Sequence, residues 1–477
     1  MFDGYIRDHA HWTPRAPAVI TAARTFSYAE FNADIDRFGV GLAEAGVTPD
    51  RGVVSICLDN PYLACVALAA LARLGVASSP FNDPGAALRI VEDRPGAGSA
   101  APGPSLLTLP ADWIAAVLAA EPQPLPALEL DPDAVGRVML SSGTTRTSRR
   151  IAMTWRRIEA VNLANLCSRG AGLHGTWVSL TTVEAMQGYS LALSAWSLGA
   201  AVTAGVGIDE LPALLERLPP GLIGCTPAQL TNLIAHLPPS FQPQPGWRIG
   251  VGGSRLSVEV ARVARLRITP DIRVSYGATE APSNAQGLAA DLEAEPGQVG
   301  VAVTGAVLDL LDEDGRPVPD GQPGEIRIHG GRVADGYLGD PEATAERFQD
   351  GGFLTRDVGR RLPDGRIVLE GRADDRMNLG GTKFMPSVLE EAAFACPGVR
   401  DCAAFAVPGP VGLDTCWLAV VADPGFDRAG LAPHLAQYLG LPPSRFAWVD
   451  EIPRNAMGKV ERGRLRDALL AATHRNP

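Results

Sequence analysis

Lysine is nearly missing from this chain. Of its 42 basic side chains only Lys383 and Lys459 are lysines, and the rest are arginine. Codon drift from lysine to arginine accounts for the surface. It leaves the two lysines as candidates for positions where a compact, rotatable ammonium is needed and a planar guanidinium does not substitute. Paired cysteines are missing too. Seven are scattered (Cys57, Cys65, Cys167, Cys225, Cys396, Cys402, Cys416) with no CxxC spacing, which excludes a zinc site or disulfide framework of the usual kinds and reads as buried thiols in a reducing cytosol. There is no basic surplus: 42 basic against 53 acidic side chains give a net charge of −11. Nucleic acid as the main partner is therefore not expected, although a local basic pocket for phosphate is still permitted. The start, MFDGYIRDHAH, lacks the basic patch and apolar run of a signal peptide. The uncharged stretch Gln187–Ile208 is long enough for a membrane span. Its four glycines, three serines and one threonine favour a buried helix turning into a strand, so no membrane span is expected and the predicted location is cytoplasmic.

What is present is ordinary globular material. Hydrophobic residues at 46% and charged residues at 20% exclude wholesale disorder. A length of 477 residues suggests about three domain-sized units. The early chain alternates: a helix from Phe26 through Leu42, a buried strand Val53–Leu58, a helix around Tyr62–Leu74, then a turn and strand from Gly75. That alternation argues for layered α/β structure. Pro95–Pro132 reads as a loose connection around one helix, Ala111–Ala120. Alternation resumes with a strand at Arg137–Leu140 and a helix from Trp155, and continues to Tyr276. From Val299 the texture becomes strands and turns, with reversals at Asp312–Gly315, Pro319–Gly321 and Pro363–Gly365. Mixed α/β structure returns after Asp375 and ends in a basic helix from Arg462.

Five segments carry possible chemistry. Met139-Leu-Ser-Ser-Gly-Thr-Thr-Arg-Thr-Ser-Arg-Arg150 runs a strand into a loop of hydroxyls, a glycine and three arginines, a composition that suits an anion. A polar surface loop is the plain alternative, and the Walker loop GxxxxGK[ST] is absent. Tyr276-Gly-Ala-Thr-Glu280 offers an aromatic face, a tight turn, a hydroxyl and a carboxylate, enough to stack a base and hold magnesium, though alone it could be any strand end. Thr355-Arg-Asp357 and Gly371-Arg-Ala-Asp-Asp375 each place an acid at the end of a strand-like run, suited to ribose hydroxyls or to an ordinary turn. Pro453-Arg-Asn-Ala-Met-Gly-Lys459 presents one of the two lysines.

In this order the five segments resemble the adenylate-forming superfamily of acyl- and aryl-CoA synthetases, peptide-synthetase adenylation domains and luciferases, over Phe26 to Arg462. The resemblance implies an α/β fold with a large N-terminal part (1–373, including a small β-rich barrel at about 299–373) and a small mobile α+β C-terminal part (374–477). It implies the cofactors ATP, Mg2+ and CoA. The family's SGTTGxPK loop corresponds to Ser142–Arg149. Ser141, Ser142, Gly143, Thr145 and Arg149 would then hold phosphate, with Arg146 in place of a glycine, Ser148 of the proline and Arg149 of the lysine. Tyr276 would stack on adenine, with Gly277 in its turn and Thr279 at the α-phosphate. Glu280 with Thr144 would hold magnesium. Asp357 and Arg372 match the ribose contacts, although the usual TGD reads Thr355-Arg-Asp here. Asp374 matches the hinge, and Lys459 the lysine that bridges substrate carboxylate and α-phosphate.

The resemblance further places Ala185, Gly188, Gly252 and Gly253 at the acyl pocket, and Gly380, Gly381 and Lys383 at the thiol channel. Gly380-Gly381 followed by Pro386 and Glu390 is similar to the CoA ligases. Only 15 residues follow Arg462, so no carrier domain is expected after it. The segment Thr182–Gly188 lacks the aspartate that often holds an amino group in peptide synthetases. Glu184 falls one residue away from that position. The expected activity is ATP-dependent ligation of an aryl or medium-sized carboxylic acid to CoA. A free-standing enzyme loading a carrier protein, or a weakened nucleotide-binding relic suggested by Arg146 and Ser148, are the alternatives.

Overall fold

The computed structural model describes residues 2–93, 105–141, 148–170, 174–379, 382–409, 414–439, 443, 445–454 and 460–475. Several expected site residues fall outside these: Ser142, Gly143, Thr144, Thr145, Arg146, Gly380, Gly381 and Lys459. Lys383 lies in the short strand Thr382–Phe384, facing Asn378 in the register of a two-stranded hairpin.

Helices begin where local chemistry supplies a start. Tyr28–Glu44 is opened by a capping box: Ser27 accepts from the Glu30 amide, and the Glu30 carboxylate accepts from the Ser27 amide. This cap moves the helix start from the expected Phe26 to Tyr28. Phe26 instead belongs to the strand Thr25–Ser27. Pro61–Arg73 starts behind Asn60, whose side chain accepts from Tyr62 and Leu63 amides, with proline at the first helical position. The uncharged stretch is a buried helix, Met186–Ser197, followed by a buried strand, Ala201–Thr203. Among the described residues no helix is long and apolar enough to cross a membrane.

Two large sheets form the N-terminal part. One has nine strands, in the order Val301–Ala302, Ala285–Leu288, Ile272–Tyr276, Arg248–Val251, Leu222–Cys225, Thr176–Ser179, Ala201–Thr203, Pro17–Ile20 and Thr25–Ser27. Its centre is parallel and its edges are antiparallel. The other has six, in the order Ser105–Leu109, Leu88–Glu92, Val54–Cys57, Ser78–Ser79, Val135–Leu140 and Arg150–Thr154. Ser105–Leu109 lies within the segment expected to hold only a helix; it pairs in parallel with Leu88–Glu92. Helices Tyr28–Glu44, Pro61–Arg73, Trp155–Asn165 and Met186–Ser197 fill the space between the sheets, around buried Phe31, Phe38, Trp177 and Trp196.

A five-stranded antiparallel sheet spans Val307–Arg372. Gly315 and Gly365 sit at its reversals with φ of +77° and +86°, conformations open to glycine. Asp357 is not at a strand end as expected; it lies inside the strand Gly352–Arg361, opposite Arg372 and next to an irregularity in the ladder. The C-terminal part has a three-stranded sheet, Val399–Pro408, Asp414–Ala422 and Arg445–Trp448, packed against helices Pro386–Phe394, Arg428–Leu439 and Arg462–Arg475. Arg462, half-buried, ties this part together: it donates to Glu390 at 2.6 Å, to Asp375 at 3.3 Å and to the Ala404 carbonyl at 3.0 Å. The thiols of Cys65, Cys225, Cys402 and Cys416 are buried, but Cys167 is exposed.

Candidate active site

The parallel strands Leu222–Cys225, Arg248–Val251 and Ile272–Tyr276 end at one side of the nine-stranded sheet, where the β-rich sheet meets it. Ligands bind outside the carboxyl ends of such strands. A cavity of about 270 Å³ opens there. Of the residues expected from sequence, Ser141, Arg149, Gly252, Gly253, Tyr276, Gly277, Thr279, Glu280, Asp357, Arg372 and Asp374 line it.

Its charged side is built by pairing. The Tyr276 hydroxyl donates to Asp357 at 2.9 Å. Burial, reinforced by the Asp357 carboxylate, drives the Tyr276 pKa well above its ordinary value, so it stays a donor. Arg372 lies 3.5 Å from Asp357 and 3.1 Å from Asp374. Burial opposes its charge, but these acids outweigh the burial and raise its pKa. Arg356, before Asp357, has φ of +64°. This is the left-handed region that favours glycine, at the position where the family's motif has one. Gly277 is forced by space: a Cβ there would stand 2.6 Å from the Ser283 amide nitrogen.

Glu280 is 9% exposed and has no cationic partner among the described residues. Its Oε1 accepts from the Tyr337 hydroxyl at 2.8 Å. A nearly buried carboxylate without a cation costs stability unless a cation arrives, so the site fits a divalent ion. Among the described residues no three histidine, cysteine or carboxylate side chains converge. Magnesium bound by one carboxylate, waters and substrate phosphates needs no such cluster.

The phosphate loop itself, 142–147, is outside the described residues, but its base is visible. The Ser141 amide donates to the Arg149 carbonyl at 2.8 Å, and the Ser141 hydroxyl accepts from the Arg149 amide at 2.9 Å. Of its arginines, Arg149 lies over the Tyr337 ring at 5.0 Å and 3.4 Å from Asp340. Arg150 does not serve the cavity. It is locked on buried Asp83 by bonds of 2.7 and 3.1 Å and on the Gly85 carbonyl.

Two expected residues, Ala185 and Gly188, do not line the cavity. Gly188 is held to glycine by packing, since a Cβ would stand 2.1 Å from the Thr182 carbonyl oxygen. Their neighbours Met186, Gln187 and Ser190 on the same helix line it instead. Sequence reasoning also missed Tyr337, Arg347 and Ser275, and singled out Thr355 only as part of its motif. Tyr337 is placed by two contacts from distant segments: the Leu338 amide donates to the Arg150 carbonyl and the Ala334 amide to the Glu280 carbonyl. Arg347 donates to the Leu354 carbonyl at 2.7 Å and lies over Phe353, with no carboxylate partner among the described residues. Nothing local in the sequence marks Tyr337 or Arg347.

The chain matches the sequence profile described as AMP-binding enzyme over residues 6–94 and 90–338. It belongs to the AMP-binding enzyme family. It is thus an adenylate-forming ligase of that superfamily, as its ordered motifs imply. Over 96% of its length it is 26% identical to a fatty acid–acyl-carrier-protein ligase, ScoC, of Streptomyces coeruleorubidus, spanning 94% of that protein. It is 28% identical to a feruloyl-CoA synthase of an Amycolatopsis species, covering 96% of each chain. Against some much longer synthetases it spans only 6% of their length. The crystal structure of ATP-bound MatB from Rhodopseudomonas palustris superposes with a TM-score of 0.83 over 98% of this chain and 99% of that one, at 22% identity. The AMP-binding fold therefore extends through the C-terminal part, beyond the profile match.

Proposed function

We propose that this AMP-binding enzyme joins a carboxylic acid to AMP, releasing pyrophosphate, and passes the acyl group to the thiol of CoA. The observation that carries the reading is one cavity in which Glu280, with no cationic partner among the described residues, shares the lining with the paired Tyr276, Asp357 and Arg372 and with a neutral stretch of wall. Asp357 and Arg372 accept and donate to the ribose hydroxyls, and the Tyr276 ring lies against adenine. Thr279 reaches the α-phosphate. Glu280 and Thr144 hold magnesium, which offsets phosphate charge when bound. Arg149, and Arg347, whose guanidinium has no carboxylate partner among the described residues, add positive charge to the same cavity.

Carboxylate attack on the α-phosphate brings two anions together, and cations aimed at the developing charge lower that barrier. Lys459 delivers such a charge from the C-terminal part in one orientation. Rotation about Asp374, at the single turn Ala373–Asp375, withdraws it and brings Gly380, Gly381 and Lys383 to the thiol path. The domain division at 373/374 belongs to this proposal.

Pyrophosphate exchange with a panel of acids tests the first step. Supplying either CoA or a phosphopantetheinylated carrier protein then identifies the acceptor, and acyl transfer to the carrier alone would replace the CoA assignment. Lys459→Ala is expected to slow adenylate formation by about 10²–10³-fold, while presynthesised acyl-adenylate plus CoA is still converted near the wild-type rate. Equal loss of both steps would remove Lys459 from this role.

A further inference from the structure

Part of the cavity wall has a composition of its own. Among the described residues, every charged side chain lining the cavity (Arg149, Glu280, Arg347, Asp357, Arg372, Asp374) comes from the phosphate-loop base, the turn after Tyr276, the β-rich sheet, the short helix Pro341–Arg347 beside it, or the turn beyond it. The helix Met186–Ser197 and the ends of strands Arg248–Val251 and Ile272–Tyr276 contribute Met186, Gln187, Ser190, Gly250, Gly252 and Ser275, none of them charged.

These neutral groups are oriented. The Gln187 Nε2 donates to the Cys225 carbonyl at 3.1 Å. An amide oxygen cannot face a carbonyl oxygen, so this bond fixes the flip and leaves Oε1 as an acceptor. The Ser190 hydroxyl, on a residue only 7% exposed, spends its proton on the Gln187 carbonyl at 3.2 Å and keeps its lone pairs. The Ser275 Oγ is buried and finds no hydrogen-bond partner among the described residues. Orphaned hydroxyls are costly, and a ligand that pairs with one gains what the folded chain forgoes.

The same wall keeps open room that the protein itself does not need. A Cβ at Gly250 would meet its nearest atom at 3.7 Å, and one at Gly252 at 3.4 Å, both ordinary contacts. Neither glycine is demanded by packing or by a positive φ. Side chains are absent there although they fit, which leaves the space to an occupant.

We infer that the acid activated here carries an uncharged hydrogen-bond donor, a hydroxyl in the first instance, at the end away from its carboxylate, read by Gln187, Ser190 and Ser275. This rests on the adenylate-forming reading above and narrows its substrate class. Among the described residues a second carboxylate finds no arginine or lysine on that wall, and an ammonium finds no aspartate or glutamate. Either charge would be desolvated without a partner. A plain alkyl or aryl end fills the space but leaves Ser275 unsatisfied.

Two matched sets of acids test this by acid-dependent pyrophosphate exchange: para-toluate, para-hydroxybenzoate and terephthalate, and heptanoate, ω-hydroxyhexanoate, adipate and ω-aminohexanoate. Within the better-accepted set the hydroxy acid is expected to exceed its methyl isostere in kcat/KM by about tenfold or more, the scale of one well-made hydrogen bond, and to exceed the charged acids by more. Ser275→Ala and, separately, Gln187→Met should each shrink the hydroxy-to-methyl ratio severalfold while leaving the KM for ATP in place. A methyl or charged acid preferred in both sets overturns the inference and leaves the adenylation reading standing. A ratio unchanged in both variants does the same. Exchange with no acid of either set, by a protein that binds ATP, overturns both.

Discussion

Tyr337 joins the two charges that matter most at the phosphate end. Its hydroxyl holds one oxygen of Glu280 while its ring face carries Arg149. Tyr337→Phe keeps the ring and removes only the bond to the carboxylate. Loss of one hydrogen bond to a charged group is worth about 1.5–3 kcal/mol, so the magnesium concentration for half-maximal exchange should rise by about tenfold or more. Calorimetric affinity for ATP with magnesium should fall in parallel, and affinity for ATP without it should change little. Equal loss with and without magnesium would make Tyr337 a packing residue. Arg356 poses a different residue-scale question, since its φ of +64° strains an L side chain. Its guanidinium is half-exposed and pairs with Glu346 at 2.6 Å, an exposed contact of small worth. Relief of the strain, about 1 kcal/mol or more, is offset in part by that pair and by the freedom of glycine when unfolded. Arg356→Gly should therefore leave the midpoint of denaturant unfolding unchanged or higher. A clear drop would show that the side chain does more than occupy a turn.

Among the elements, the strands Arg248–Val251 and Ile272–Tyr276, which end at the cavity, share an ionic clasp. Asp271 lies 2.8 Å from Arg248 and 2.9 Å from Arg273. Burial works against its charge, but bonds to the two arginines outweigh it and hold its pKa below the ordinary value. A carboxyl depressed in the folded state binds fewer protons there than in the unfolded chain. Its contribution is present above the unfolded pKa of about 3.9 and is lost as pH falls through the folded value. Asp271→Asn should flatten the acid limb of a stability–pH profile in that window and leave the slope near neutrality unchanged. The same strands show what could be read in advance. Ile272–Tyr276 alternates and ends in a compact motif, so both element and site residues were legible from one short segment. Ser78–Ser79 and Val301–Ala302 are too short for any periodicity, and Ser105–Leu109 gains its place only by pairing with Leu88–Glu92. Tyr337 reaches Glu280 through a bridge to Ile151 on another sheet, and Arg150 leaves the phosphate loop for Asp83. Neither event has a local signature. The Gln187 neighbourhood was anticipated, but the residues were shifted by one helical position, because packing at Gly188 turns it away from the cavity.

For the molecule as a whole, the polar contacts of the C-terminal part with the N-terminal part are few among the described residues. Glu391 lies 3.6 Å from Arg255 and accepts from the Val258 amide at 3.2 Å, and the Ser387 hydroxyl donates to the Glu370 carbonyl. Glu391→Ala removes a half-buried pair worth up to about 1 kcal/mol. Tryptic cleavage around Arg372 and Arg376 should then speed up severalfold, while the midpoint of global unfolding hardly moves. Unchanged cleavage would mean that Glu391 does not restrain this docking. Cys225 gives the cavity a further property. Its carbonyl orients Gln187, and its thiol, fully buried, is pushed up to about 12 by that burial. An acyl-adenylate is an electrophile that thiolates consume. A reactive cysteine beside it would make the enzyme its own acceptor. Burial keeps this sulfur protonated and off the cavity lining, so on the reading proposed above it does not intercept the intermediate. Intact mass measured after prolonged incubation with ATP and acid, without any thiol, should show no acyl group on Cys225, and hydroxylamine should still trap the waiting adenylate.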